Sequence, residues 1–380
     1  MARDRAPSLL RLARDRWGQF RARLVANPAF RQFASSFPLT RPVARRRTRA
    51  LFDLAAGFVY SQVLAAFVRL DLVTFLNTGP TTLAQIADKT GLTDDRALSL
   101  LRAAMALDLA AECADGRYRL GEAGAALVGN DGVLAMIAHH QMLYDDLADP
   151  VALLKGERET QLSRFWSYAG GEKTDDAAAA PYSQLMARSQ IMIAREVLDV
   201  LPLKRHRRLL DFGGGSGAFA IEAARRHPHL EVGLFDLPAV AEIARGVIAS
   251  SGLDGRVTAF GGSFFEDAAP SGFDVVTLNR ILHDHDDAPA LQILRAAHGC
   301  LADGGTIVLA EPMAGTPGAE PAIDTYFGFY LLAMGQGRPR GFGEIAGLMA
   351  QAGFDDIREL PTATPLIVRM LTARKAGVTN

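Results

Sequence analysis

Cysteine is nearly missing from this chain: two residues in 380, Cys113 and Cys300. Two thiols are too few for a disulfide framework or a cysteine-based metal cluster, and they suit a reducing compartment. No apolar run reaches the ~18 residues that a membrane span requires. The N-terminus also lacks the apolar h-region of a signal peptide, so the expected address is the cytoplasm. Net charge is close to nil at −1, but that balance hides an asymmetry. Residues 1–50 carry thirteen Arg and two Asp, a net of +11, which leaves −12 for the remainder.

What is present is globular: 49% hydrophobic and 22% charged residues, in a chain long enough for two domains. The stretch that organises it is Leu-Leu-Asp-Phe-Gly-Gly-Gly-Ser-Gly, from Leu209 to Gly217. An apolar strand ends in Asp211, glycines follow at 213, 215 and 217, and the apolar-periodic run Ala218 to Arg226 starts a helix. Such a turn lets a ligand lie against bare peptide, with the free N–H groups of the helix start facing it. A second apolar run, Val232 to Phe235, ends in Asp236, where an acid would hold a ribose diol. Two nucleotide readings compete. Gly213, Gly215 and Ala218 fit the dinucleotide pattern, while the acid at the first strand's end fits S-adenosylmethionine.

Four segments are expected: a basic arm (1–50), a winged-helix-like module (51–130), a helical linker and pocket roof (131–203) and the cofactor domain (204–376). In the arm, Leu9, Leu10, Ala13, Trp17, Phe20 and Leu24 fall on one helical stripe flanked by Arg. That stripe fits an arm docked on protein, a membrane-surface helix or a nucleic-acid arm. Between 51 and 130 a long apolar helix pair, Phe52 to Leu76, breaks at Arg69 to Asp71. Short helices at 82–88 and 96–107 follow, then a strand-like wing at Arg117 to Leu120. Its would-be recognition helix sets Arg96 and Arg102 against Asp94 and Asp95, too neutral for a phosphate-binding face. A scaffold for dimerisation is the better reading. Residues 131–200 are mostly helical, and Tyr144, Tyr182 and Met186 are candidates to roof a pocket.

From 209 onward strands at 209–212, 231–235, 257–260, 273–279 and 305–310 alternate with helices, which implies a doubly wound parallel sheet. Two further strands, 355–360 and 366–372, close it. The chemistry-bearing residues sit at strand ends. One strand runs into Asn279-Arg280-Ile281-Leu282-His283, and the next into Glu311-Pro312. A histidine beside a carboxylate over a methyl donor is what deprotonating a hydroxyl requires. His285 and Asp286 lack matching partners for a metal site, so no metal is expected.

The Asp-Phe-Gly-Gly-Gly-Ser-Gly turn, Phe235-Asp236-Leu237-Pro238, Gly-Gly-Ser-Phe-Phe at 261–265, Leu282-His283-Asp284 and Glu311-Pro312 together resemble the S-adenosylmethionine O-methyltransferases of the caffeate/acetylserotonin type. The likeness spans about 51–375. It implies a Rossmann-like seven-strand α/β sheet, an N-terminal winged-helix dimerisation domain and a homodimer. The blocks Ala50 to Leu54, Gly57 to Gln62 and Phe37 to Pro42 are similar to the branch that methylates the 1-hydroxyl of acyclic carotenoids such as hydroxyneurosporene. By resemblance, Asp236 holds the ribose, Gly213 and Gly215 pass under the methionine part, and Leu237 and Phe264 sandwich the adenine. His283 is then the general base and Glu311 its orienter. Three departures stand out: the family's adenine-binding Asp is Ser263, a common Lys is Asn279, and a second orienting Glu falls on Pro339.

Phe327, Phe329, Tyr330, Leu331 and Met334 form an apolar run that suits a polyene, each buried CH₂ contributing about 0.8 kcal/mol; the same run would equally make a buried helix. The acceptor reading is therefore an acyclic carotenoid, with a bacteriochlorophyll-type ring or a phenol as the alternative. A winged-helix DNA-binding regulator is the reading from another class. A carotenoid acceptor would also give the basic arm a reason to meet the inner or photosynthetic membrane.

Overall fold

The computed structural model describes residues 9–167, 190–365 and 368–376. The chain divides into two compact units, 1–124 and 125–380.

The first unit is helical. It runs through α1 (Leu9–Ala26), α2 (Pro28–Ser36), α3 (Arg41–Arg69), α4 (Leu72–Asn77), α5 (Leu83–Thr90) and α6 (Asp94–Ala106). A small antiparallel pair, β1 (Ala110–Glu112) and β2 (Tyr118–Leu120), and α7 (Glu122–Ala125) follow. Asn27 caps α2 by accepting the N–H groups of Ala29 and Phe30. Asp71, in the left-handed region at φ +55°, makes the break between α3 and α4. Thr82 and Gln85 form a capping box on α5. Phe67, Leu72, Leu76, Ile86, Leu101 and Leu109 fill the core. The helix α3 corrects the expectation about apolar runs: by length and composition it is apolar enough to cross a membrane. Polar residues such as Ser61 and Gln62 interrupt the run without changing its overall character. Leu51, Phe52, Leu54 and Phe58 on it are all exposed.

The second unit begins with α8 (Asp131–Asp146), α9 (Pro150–Leu154), α10 (Gln161–Ser167) and α11, described over 190–200. The α/β part then runs β3 (Arg208–Phe212), α12 (Ala218–Arg226), β4 (Glu231–Asp236), α13 (Pro238–Ser250), β5 (Val257–Gly261) and β6 (Phe273–Asn279). A short 3-10 turn (Leu282–Asp284), α14 (Asp287–Cys300) and β7 (Leu301–Glu311) follow. Next come a π-helical turn (Pro321–Phe327), α15 (Gly328–Met334), α16 (Phe342–Gln351), β8 (Phe354–Leu360) and β9 (Arg369–Lys375). The seven strands are ordered β5-β4-β3-β6-β7-β9-β8, all parallel except β9, which runs antiparallel to both neighbours. The last strand starts at Arg369 rather than 366, and residues 366–367 lie outside those described.

Successive residues on each strand supply opposite cores, as a sheet covered on both faces demands. Leu209, Val275, Val308 and Met370 join Phe219 and Ile248 on one side; Leu210, Val276, Leu309 and Leu371 join Ile293 and Met349 on the other. From β3 the chain proceeds outward to β4 and β5, then returns to place β6 on β3's other flank. That reversal opens a crevice at the C-terminal ends of β3 and β6, where a sheet of this type takes its ligand.

Candidate functional site

At the end of β3 the Asp211 carboxyl is 1% exposed. Its Oδ1 accepts the Thr277 hydroxyl at 2.9 Å and the Asn279 amide Nδ2 at 3.0 Å. Burial outweighs those hydrogen bonds and pushes its pKa up to about 7. The amide oxygen of Asn279 is buried with no partner among the described residues. Gly213 and Gly215 both have positive φ, but they face different things. A Cβ on Gly213 would stand 2.5 Å from Ile281 Cδ1 and 3.1 Å from the Phe264 ring, whereas one on Gly215 would meet nothing within 4 Å. Gly215 therefore leaves the open peptide, while Gly213 lets Ile281 and Phe264 close over the turn.

Asp236, at the tip of β4, is tied to that turn. Its Oδ2 accepts the Gly215 N–H and its Oδ1 the Leu237 N–H, both at 2.8 Å. Burial pushes its pKa up to about 6. Each oxygen keeps a further lone pair, the capacity a diol's two hydroxyls need. Leu237 and Phe264 are half-buried beside it, and Phe264 packs on Phe212 with ring centres 4.7 Å apart. Ser263 accepts the Phe265 N–H on its hydroxyl at 3.2 Å and donates its own N–H to Asp267 at 2.8 Å. Open glycine peptide, half-buried acid, aromatic wall and an unpartnered amide oxygen fit a nucleoside carrying a polar tail.

The second half of the site stands at the ends of β6 and β7. Glu311 is 1% exposed. Its Oε1 accepts the N–H groups of Ile281 (3.0 Å) and Leu282 (2.7 Å), and its Oε2 lies 2.6 Å from His283 Nδ1. The carboxylate thus holds both the imidazole and the turn that carries it. The other ring nitrogen, Nε2, is 3.1 Å from Asp284 Oδ1. Burial alone would lower the pKa of His283, but the Asp284 and Glu311 carboxylates together outweigh it and raise the value despite Arg280 nearby. Arg280 is left-handed at φ +59° and lies over the Phe327 ring at 5.2 Å, and His283 meets the same ring edge-on at 6.1 Å.

The expected acceptor residues divide. Phe327 adjoins His283 and closes the π-helical turn, a form frequent at functional sites. Tyr330 is buried with its hydroxyl 2.8 Å from His139 Nε2. Tyr144 is half-buried against His140. Met334 and Leu331 belong to an apolar cluster with Leu143, Leu153 and Leu162. Tyr182 and Met186 lie outside the described residues.

Several residues went unnoticed in the sequence. Asp284 stood within a motif already singled out. Tyr326 pairs with His140 Nε2 at 2.8 Å, and Arg340 reaches the histidine turn from 58 residues away, contacts that no local spacing signals. Burial pushes His139 down to about 4 and lowers His140, so both imidazoles are neutral beside their phenols at physiological pH.

Comparison with known proteins gives a consistent picture. The O-methyltransferase domain profile matches residues 144–355, and the O-methyltransferase dimerisation domain matches 52–130. The chain is 42% identical to demethylspheroidene O-methyltransferase of Cereibacter sphaeroides, across 92% of this chain and 93% of that protein. It is 31% identical to acetylserotonin O-methyltransferase of Mus musculus, across 87% and 90%. Among solved structures, the S-adenosylmethionine-dependent methyltransferase SibL superposes with a TM-score of 0.69 at 26% identity, covering 86% of this chain and 98% of that one. The mitomycin 7-O-methyltransferase MmcR shares the fold with a TM-score of 0.74 at 21% identity, covering 88% and 100%.

The buried acid at β3 makes a prediction about stability. In the unfolded chain Asp211 ionises near pH 4, but in the folded protein only near 7, so ionisation opposes folding across that window. The gap corresponds to ~4 kcal/mol. The stability of Asp211→Asn relative to wild type should therefore climb as pH rises from about 4 to about 7, measured by urea titration at each pH. A pH-independent difference would contradict this.

Proposed function

The chain belongs to the S-adenosylmethionine-dependent O-methyltransferase family, and we propose that its acceptor is the 1-hydroxyl of an acyclic carotenoid. S-Adenosylmethionine is its methyl donor, and the dimerisation domain makes it a homodimer. The regulator reading of the winged module is not favoured by these relatives. The 42% identity to demethylspheroidene O-methyltransferase supports the carotenoid reading. So does the aromatic wall of Tyr326, Phe327 and Tyr330 beside His283. A bacteriochlorophyll-type ring or a phenol is the competing acceptor. The exposed Phe52, Leu54 and Phe58 of α3 fall within the dimerisation domain, residues 52–130.

When bound, the cofactor supplies an electrophilic methyl group on a sulfonium. Asp236 takes the ribose hydroxyls, Gly215 lies under the methionine part with Gly213 shaping the turn, and Leu237 and Phe264 flank the adenine. Ser263 and the free amide oxygen of Asn279 complete the polar contacts, and Asp211 holds Asn279 in place. Glu311 keeps a proton on Nδ1 of His283, which leaves Nε2 as the base. An alkyl alcohol ionises near the ~16 of water. Against an ordinary histidine at ~6.5 the gap is roughly 9 units, or ~13 kcal/mol. Free alkoxide is therefore too rare, and the proton passes to Nε2 as the oxygen reacts. The raised pKa of His283 narrows that gap, and Asp284 occupies Nε2 until the acceptor hydroxyl displaces it. Tyr144, Tyr330 and Met334, with Tyr182 and Met186, remain proposed acceptor contacts.

The enzyme works from the cytoplasm at the surface of the membrane that dissolves its acceptor. Along α1 the exposed Leu10, Trp17 and Phe20 share one stripe, with Arg14 and Arg21 on one flank and Arg16 and Arg23 on the other. Such a helix buries its rings among lipid tails while the guanidinium groups meet anionic headgroups.

Three sets of outcomes are expected. First, mass spectrometry should find one methyl added to a 1-hydroxy acyclic carotenoid and none to bacteriochlorophyllide or a phenol. His283→Ala should lower turnover by about 10²–10⁴ while sparing cofactor affinity. Second, kcat/KM should rise with pH as His283 deprotonates, along a limb above the ordinary histidine range. Asp284→Asn should move that limb to lower pH, and an unmoved limb would break the pairing. Third, the protein should float with vesicles of phosphatidylglycerol but not phosphatidylcholine. Trp17→Asp should abolish flotation, and its persistence would remove α1 from the contact.

A further inference from the structure

The segment 337–340, between α15 and α16, grips the backbone carbonyls of the histidine turn, whereas Glu311 takes two of its N–H groups. Arg340 is 2% exposed. Its Nη1 donates to the Leu282 carbonyl and its Nη2 to the His285 carbonyl, each at 2.6 Å, and its Nε donates to Asp287 at 2.9 Å. The carbonyl of His283 itself accepts the Arg338 N–H at 2.9 Å. Gly337 lies so close that a Cβ on it would stand 2.2 Å from that same carbonyl oxygen. Pro339 has no N–H to give, so the segment's donors come from the residues on either side. Asp287 also binds Arg338, and Asp286 accepts the Gly337 N–H at 3.2 Å.

Three carbonyls spanning the turn are therefore fixed from one short segment. A guanidinium suits this because its planar fork can donate to two acceptors at once, which a lysine ammonium cannot do with the same geometry. The turn also faces both halves of the site. His283 stands against Phe327 on the acceptor side. His285 meets Phe265 at 6.0 Å, and Phe265 in turn meets Phe264 on the cofactor side.

We propose that Arg340 is a positioning residue for methyl transfer: by holding the carbonyls of Leu282 and His285 it sets where the His283 imidazole stands relative to both substrates. This rests on His283 being the base. Glu311, Asp284 and Arg280 are the charged groups that face the imidazole, and their influence on it depends on where the turn is held.

The experiment compares wild type, Arg340→Lys and Asp287→Asn. Asp287 is a surface carboxylate, so the second variant reports on the clamp even where the first fails to fold. Each protein is loaded with S-adenosylhomocysteine and its His283 titration followed by NMR with ¹⁵N-labelled histidine. Kinetics use a 1-hydroxy acyclic carotenoid in detergent. Arg340→Lys should lower kcat by about 10–100-fold, the scale of a misplacement near 1 Å. Its acceptor KM and cofactor affinity should stay within about twofold of wild type, and its His283 titration should fall toward the ordinary histidine value as the ring leaves Glu311. Asp287→Asn should show the same split, reduced to a few-fold. An unchanged kcat and titration in the variants would overturn the proposal. So would cofactor affinity falling in step with kcat, which marks general loosening. If wild type methylates no carotenoid, the acceptor reading fails, and the NMR titration still decides the clamp.

Discussion

One carboxylate organises the half of the candidate site at the ends of β6 and β7. Glu311 is placed by β7, a strand buried in the middle of the sheet, so its position is as rigid as the core allows. From there it accepts two backbone N–H groups of the turn after β6 and the imidazole of that turn's histidine. A buried acid survives only with such partners, since an unpaired charge in this setting carries a heavy desolvation penalty. Removing it would release side chain and backbone together, so the imidazole, the turn and the ring contact with Phe327 all depend on it.

The half of the candidate site at the ends of β3 and β4 follows a different logic. Asp211 and Asp236 are held where ionisation is unfavourable, with pKa values pushed to about 7 and about 6. The sheet tolerates this because backbone N–H groups and the Thr277 and Asn279 side chains share the charge. Perturbed acids at strand tips are a common mark of a working site. Here they coincide with a glycine of the turn, Gly215, whose peptide is open to approach.

The α/β half was legible in the sequence because its signals are local. Apolar runs, the glycine turn and acids at strand ends appear within a few residues of one another. Strands β3 to β6 lie within one residue of where periodicity places them. Errors came where local signals are weak. The strand β1 has three residues, too few to show a period, and α3 begins eleven residues before Phe52 because arginine sustains a helix as readily as leucine. Side-chain partnerships across long separations were not legible at all. Arg340 and Tyr326 look ordinary in sequence, and only the fold brings them to Leu282 and His140.

The antiparallel strand β9 lies between β7 and β8 and pairs Glu311 with Arg369. Until residues 369–375 are available, β7 is an edge with a row of unsatisfied peptide groups, and the acid that governs the histidine sits on it. The setting of Glu311 is therefore complete only when β9 has threaded between two strands that both precede it in the chain.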